Sequence, residues 1–117
     1  MNLKGIHHVS LNVKDVDASL AFYVDALGME KLDRPDLGFP GLWLRSGEQE
    51  VHLLGIDSGS PLKEQHFAFL VDDLDATLAV LAERGVPCSE PGEIAGVCRQ
   101  AFTQDPSGNL IEFNQRL

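Results

Sequence analysis

An internal repeat constrains this chain more than any other feature of its sequence. Residues 8–21 and 66–79 align without a gap at an offset of 58 positions. Seven of the fourteen aligned pairs are identical, whereas average residue usage would give about one. Each copy begins with a histidine, His8 in the first and His66 in the second. The repeat therefore predicts two similar structural modules in tandem.

The first copy has the pattern of a strand followed by a helix. Apolar and polar residues alternate over residues 6–13, which predicts a strand with His8 on its polar face. Asp15 or Asp17 is suited to capping the helix that follows, and Gly28 is suited to ending it. The second copy predicts the same pair of elements.

Short strands are predicted to complete each module. In the first they lie around Met29–Leu32, Leu42–Leu44 and Gln49–Leu54. In the second, a strand over Gln65–Val71 and a helix over Asp73–Arg84 precede strands near Cys88–Pro91, Arg99–Gln104 and Asn109–Asn114. We expect an α+β fold in which residues 1–117 form a single domain of two tandem βαβββ modules, 1–57 and 64–117. Their strands are expected to form a cupped, eight-stranded mixed sheet with the helices outside.

Charge and cysteine content limit the function. The net charge of −9 argues against nucleic acid and anionic membranes as partners. No apolar run reaches the length of a membrane span, and the first residues do not resemble a signal peptide. Cys88 and Cys98 are expected to be reduced in a cytoplasmic protein.

Four polar side chains are predicted to share the face of the strands that is turned away from the helices. His8 and His66 start the two copies, and His52 and Glu112 occupy the last strand of each module, sixty residues apart. Both of the latter lie between apolar neighbours that are expected to face the helices. Three histidines and one carboxylate suit a divalent metal of borderline softness. Glu50 shares a face with His52 and is expected to orient it or to compete with it.

Other residues near this face are given structural roles. His7 is expected to point to the opposite face of the first strand. Trp43, Phe39 and Phe102 are expected in the core or in a pocket wall, and the loop Arg34–Gly41 is expected to cover the pocket.

Six segments carry a resemblance to a known family. They are His8–Val13, Phe22–Tyr23, Leu27–Gly28, Val51–Leu53, His66–Phe69 and Asp105–Glu112. At these residues the chain resembles the vicinal oxygen chelate superfamily, which includes glyoxalase I, bleomycin-resistance proteins, methylmalonyl-CoA epimerase and extradiol dioxygenases.

The resemblance implies a metal site and a chemistry. A divalent metal (Ni, Zn, Mn, Co or Fe) would be held by His8, His66 and Glu112, with His52 at the fourth ligand position. Glu112, a metal-bound water or His52 would move a proton on a small substrate that offers two neighbouring oxygens, through a metal-stabilised enediolate. The resemblance also implies a homodimer.

Two other functions remain open. The same residues match an Fe(II) extradiol dioxygenase, in which His8, His66 and Glu112 would hold the iron and His52 would act as acid and base. A protein of bleomycin-resistance type would instead sequester a drug or metabolite without chemistry. One scaffold supports many chemistries, so the fold alone does not choose among them.

Overall fold

The computed structural model describes all residues from Met1 to Leu117. The chain divides into two compact units, Met1–Gly59 and Ser60–Leu117. Each unit contains one four-stranded mixed sheet, so that the eight strands form two sheets in all. The predicted α+β class is confirmed.

The first unit follows the predicted order of elements. It contains β1 (His8–Asn12), α1 (Val16–Leu20), a π-helical segment (Ala21–Ala26), β2 (Glu30–Leu32), β3 (Gly41–Ser46) and β4 (Gln49–Leu54). The strand order across the sheet is β1-β4-β3-β2. Strand β1 runs parallel to β4, and the other pairs are antiparallel. The strand that carries His8 therefore lies next to the strand that carries His52.

Local side-chain chemistry determines where the first helix begins and ends. Asp15 is the N-cap, rather than Asp17, and its carboxylate accepts a hydrogen bond from the Ala18 amide at 3.0 Å. The second part of the helix widens into a π-helical turn, which the sequence did not predict, and this turn buries Tyr23 completely. Gly28 follows with a φ of +76°, a conformation that glycine adopts without strain.

The second unit repeats this architecture. It contains β5 (His66–Leu70), α2 (Leu74–Glu83), β6 (Gly92–Ile94), β7 (Cys98–Gln104) and β8 (Leu110–Arg116). The strand order is β5-β8-β7-β6, with β5 parallel to β8 and the other pairs antiparallel. Helix α2 contacts β7 and β8. No helix of the structure has the length and apolar character needed to span a membrane.

The two helices begin with the same side-chain hydrogen bonds. Asp73 accepts from the Ala76 amide at 3.0 Å, as Asp15 does in the first unit. Two hydroxyl groups repeat in the same way. Ser19 donates to the carbonyl oxygen of Asp15 and Thr77 donates to that of Asp73, both at 2.8 Å. The sequence repeat is therefore also a repeat of capping geometry.

One predicted strand was misplaced. Cys88–Pro91 lies outside the sheet, and β6 begins after it, at Gly92–Ile94. Pro91 has no N–H to donate to a strand ladder, so regular pairing resumes only beyond it. The segment is still attached to β7, because Ser89 and Phe102 exchange hydrogen bonds of 2.8 and 2.9 Å.

Each unit has its own buried apolar side chains. The first buries Val13, Tyr23, Met29, Leu42, Leu44, Val51 and Leu53, and the second buries Leu74, Leu81, Val86, Cys98, Ala101, Ile111 and Phe113. Strand β4 contributes to the first list and strand β8 to the second, because each is an inner strand of its sheet. Both cysteines are free thiols, and burial raises the pKa of Cys88.

Candidate functional site

The register of the first sheet places several polar and aromatic residues side by side. Ser10 of β1 and Trp43 of β3 both lie opposite His52 of β4, while His8 lies opposite Glu50. Residues two apart on a strand point to the same face. One face of this sheet therefore carries His8, Ser10, Trp43, Glu50 and His52.

Three of these rings form a stack. The His52 ring lies over the indole of Trp43, with centroids 4.6 Å apart and planes inclined by 13°. On its other side the ring of His8 stacks at 4.0 Å and 15°. The His52 side chain is only 12% exposed, so its orientation is restricted by both neighbours.

Glu50 further fixes the orientation of His52. Its Oε1 atom lies 2.9 Å from Nε2 of His52. This hydrogen bond lowers the pKa of the Glu50 carboxyl below its ordinary value. The carboxylate accepts a hydrogen bond from Nε2–H of a neutral His52, which leaves Nδ1 as the nitrogen with a lone pair. The expected influence of Glu50 on His52 is thus present as a direct contact.

His7 is placed differently from the prediction. It was expected on the opposite face, but its Nδ1 lies 2.9 Å from Nδ1 of His8, and its Nε2 lies 4.0 Å from Glu50. The reason is that β1 begins at His8, so the alternation of a strand does not extend to His7. Desolvation, and then repulsion from His52 and His7, lower the pKa of His8. A neutral imidazole is the form that binds a metal ion.

The second sheet has an equivalent arrangement. Ala68 of β5 and Phe102 of β7 both lie opposite Glu112 of β8, as Ser10 and Trp43 lie opposite His52 in the first sheet. Glu112 is therefore the structural counterpart of His52. Unlike an ordinary surface carboxylate, Glu112 is 7% exposed.

His66 and Glu112 are in direct contact. Nε2 of His66 lies 3.1 Å from Oε1 of Glu112, and the other carboxylate oxygen accepts a hydrogen bond from the Asn114 amide at 2.8 Å. Nδ1 of His66 lies 2.7 Å from the carbonyl oxygen of Glu64. The ring of Phe102 meets the edge of the His66 imidazole at 5.6 Å. All polar atoms of the pair are thus oriented by neighbours.

The donor chemistry of this pair fits a bound cation. The Glu64 carbonyl can only accept, so the proton of a neutral His66 lies on Nδ1, and Nε2 presents a lone pair. That lone pair faces a carboxylate oxygen, which is also an acceptor. Two ligand atoms at about 2.1 Å from one metal ion, and roughly at right angles, would lie about 3 Å apart. The 3.1 Å separation is therefore suitable for a shared cation.

The structure brings the predicted ligands together in pairs. His8 adjoins His52 in the first unit, and His66 adjoins Glu112 in the second. No group of three or more histidine, cysteine, aspartate or glutamate side chains is arranged to hold a metal ion. A single site formed by all four residues, and their catalytic roles, remain predictions.

Several residues at these pairs were not assigned a site role from the sequence. Glu64 acts through its backbone carbonyl, for which the sequence carries no signal. Asn114 lies two residues beyond Glu112 on the same strand, so strand alternation was a usable signal for their contact. Two arginines on the strands of these sheets, Arg45 and Arg99, are both paired, with Glu30 at 3.5 Å and with Asp75 at 3.0 Å respectively.

A family model matches nearly the whole chain. Residues 5–113 match the model described as the Glyoxalase/Bleomycin resistance protein/Dioxygenase superfamily. The chain belongs to this superfamily. The match confirms the family resemblance and spans all eight strands except the end of β8.

Individual members of the superfamily are similar to this chain at moderate identity. The lactoylglutathione lyase of Haemophilus influenzae is 36% identical, over 92% of this chain and 90% of its own. A crystal structure of a glyoxalase family protein from Bacillus anthracis superposes with a TM-score of 0.90 at 27% identity, over 100% and 98% of the two chains. TnmS3, an antibiotic binding protein from Streptomyces sp. CB03234, superposes with a TM-score of 0.84 at 29% identity, over 100% and 99%.

Proposed function

We propose that this superfamily member is a metal-dependent lyase or isomerase of glyoxalase type, which moves a proton on a small substrate with two neighbouring oxygen atoms. The observation that carries this proposal is the contact between His66 and Glu112. It joins a histidine of fixed tautomer to a buried carboxylate, and both are of the ligand types that divalent metals prefer.

The metal ligands in this proposal are His8, His52, His66 and Glu112. When bound, a divalent cation would polarise the substrate oxygens and make the neighbouring C–H bond more acidic. The chain itself contributes the fixed positions of its ligands. Asn114 holds one oxygen of Glu112, and the Glu64 carbonyl holds His66. Such outer contacts orient ligands and strengthen their binding.

Two side chains are proposed to move the proton. Glu112 is buried in β8, and its carboxylate is positioned by contacts with His66 and Asn114. His52 is the alternative proton acceptor: where it is not a metal ligand, its Nε2–H donates to Glu50 and Nδ1 keeps the lone pair that accepts a proton.

The substrate class follows from the relatives. Proteins named lactoylglutathione lyase from Haemophilus influenzae and Vibrio cholerae are 36% and 32% identical to this chain. We infer by this similarity that the substrate is a hemithioacetal formed from a 2-oxoaldehyde and a thiol. The product would be the corresponding 2-hydroxyacyl thioester.

The test is an isomerisation assay with such hemithioacetals and with each of Ni²⁺, Zn²⁺, Mn²⁺, Co²⁺ and Fe²⁺. We expect thioester formation that requires added metal, and a loss of at least about a hundredfold in kcat for Glu112→Gln. The matched control is Glu83→Gln at the exposed end of α2, which should retain the parent activity. Absence of turnover with every metal and thiol would overturn the proposal.

A second candidate function is binding without chemistry. The similarity to the antibiotic binding protein TnmS3 favours it. Tight binding of a drug-like molecule by protein that has been stripped of metal, without turnover, would support this candidate. The dioxygenase alternative predicts oxygen uptake with a catechol in the presence of Fe²⁺, which is measured with an oxygen electrode.

A further inference from the structure

Arg34 is held in an unusual environment within the first unit. Its Nη2 atom donates to the carbonyl of Phe39 at 3.0 Å, and its guanidinium carbon lies 4.9 Å from the centre of the Phe39 ring. The guanidinium also packs against the backbone at Gly41, where an added Cβ atom would lie 3.0 Å from Nη2. The side chain is thus fixed by its own loop and by the start of β3.

The charge of this guanidinium is not neutralised within the protein. No carboxylate lies within ion-pairing distance of Arg34, in contrast to Arg45 and Arg99, which are both paired. Its Nε atom is buried and has no hydrogen-bond partner. A buried donor without a partner is rare in folded proteins and destabilises them, so its presence calls for a functional explanation.

Arg34 lines a small cavity of about 120 Å³ that also includes His52. The remaining walls are mainly apolar or aromatic: Leu37, Phe39, Trp43, Leu53 and Leu54, together with Ser10. A volume of 120 Å³ equals the share of about four water molecules in the liquid, at roughly 30 Å³ each. The cavity therefore suits a group of a few heavy atoms.

We propose that this cavity, the Arg34 pocket, binds the carboxylate group of a small organic acid. A guanidinium presents N–H donors in one plane, which match the two oxygens of a carboxylate. Because the pocket adjoins His52, the bound acid would lie beside a proposed base of the reaction. The claim that this acid is a substrate rests on the proposed function. The claim that the pocket binds the acid does not.

The apolar walls favour a carboxylate over a phosphate. Trp43 and Phe39 offer flat surfaces to a planar group, and a phosphate dianion would lose more hydration in so small a space. The chain as a whole carries a net charge of −9, so general attraction of anions is not expected. Selective binding of an anion here must come from local contacts, and Arg34 is the lining side chain that always carries a positive charge.

Binding in the Arg34 pocket can be followed by tryptophan fluorescence. Trp43 is the single tryptophan of the chain, so intrinsic fluorescence reports on this cavity alone. The experiment titrates protein that has been stripped of metal with EDTA and then dialysed free of the chelator, with propionate and with the uncharged propionamide, at ionic strength held constant with sodium chloride. Inorganic phosphate is titrated in parallel. We expect a saturable change with propionate in the millimolar range, and at least about tenfold weaker responses to propionamide and phosphate.

Substitutions test whether Arg34 is the residue that binds propionate. Arg34→Met should weaken propionate binding by about tenfold or more, because it removes the charge and the donors but retains an unbranched side chain. Arg34→Lys should give an intermediate affinity, since it retains the charge but not the planar fork. Arg45→Met, on the neighbouring strand β3 and outside the pocket, should bind as the parent does. Circular dichroism checks that each variant is folded.

The proposal would be overturned by the absence of a saturable response to propionate, by equal responses to propionate and propionamide, or by unchanged binding by Arg34→Met. Stronger binding of phosphate would also overturn it and indicate a tetrahedral anion instead. If Arg34→Met does not fold, Arg34→Lys and the comparison of acid with amide decide the question. Because the titration needs neither metal nor turnover, its failure is distinguishable from failure of the proposed enzymatic activity.

Discussion

The Nε2 atom of His66 lies 3.1 Å from the Oε1 atom of Glu112, across the parallel pair of strands β5 and β8. When His66 is neutral, both of these atoms are hydrogen-bond acceptors, since Nδ1 of His66 faces the Glu64 carbonyl and Asn114 donates to the other oxygen of Glu112. The metal-binding hypothesis can therefore be tested directly at these two residues of the second unit.

Replacement of His66 by alanine should weaken binding of Ni²⁺ or Zn²⁺ by about a hundredfold or more, because a nitrogen ligand is lost. Asn114→Ala should have a smaller effect, about tenfold, since Asn114 only orients Glu112. Isothermal titration calorimetry gives both values, with Glu83→Gln as the control. Parent-like affinity of His66→Ala would show that the metal is held elsewhere.

The contact between Glu50 and His52 should make the stability of the protein depend on pH. Glu50→Gln removes the carboxylate that orients His52, so we expect lower activity and a lower free energy of unfolding at neutral pH. Because the pKa of Glu50 is lowered from 4.5 on folding, this stabilisation is complete above the pKa of the unfolded chain. It is lost as the pH falls through the lower folded-state value.

The measurement is thermal unfolding of the parent and of Glu50→Gln from pH 7 down to pH 3. The difference in melting temperature should shrink towards zero at the acidic end. Glu48→Gln, in the exposed turn of the same hairpin, is the matched control and should show no such trend. A difference that is constant with pH would contradict the assigned role of Glu50.

Because both helices begin with the same N-cap, removing either cap should lower the free energy of unfolding by a similar amount. Asp73→Ala and Asp15→Ala each remove one side-chain hydrogen bond to a helix amide, which should lower the free energy of unfolding by about 1 kcal/mol. Urea denaturation followed by circular dichroism measures the loss. Asp72→Ala changes an exposed neighbour outside the cap and should cost much less. Equal losses for Asp72→Ala and Asp73→Ala would exclude the capping explanation.

The core of the first unit should be sensitive to a cavity at Leu44, which is fully buried in β3. Leu44→Ala is expected to lower the free energy of unfolding by about 2–5 kcal/mol, through lost apolar burial and an unfilled space. Leu62→Ala, at a position that is 72% exposed, provides the comparison and should lie within about 0.5 kcal/mol of the parent. Urea denaturation curves of both variants test the difference.

The order of the elements could be predicted from sequence because it depends on short-range signals. Alternation of apolar residues identified most strands, and the repeat extended each interpretation from one unit to the other. The errors occurred where a local exception overrode the pattern. Pro91 displaced β6 towards the C-terminus, and the strand β1 began too late to include His7. The π-helical turn at Tyr23 had no recognised signal at all.

The sequence by itself determined which residues share a face of each sheet, since strand periodicity is a property of consecutive residues. It therefore placed His8, His52, His66 and Glu112 on the faces turned away from the helices, but it did not pair His8 with His52 or His66 with Glu112. Only the tertiary structure decided the register between strands, which places Trp43 against His52 and Asn114 and Glu64 around the second pair. Register depends on turn geometry and on packing between distant segments. For the same reason the unpaired charge of Arg34 became visible only once its loop was folded against β3.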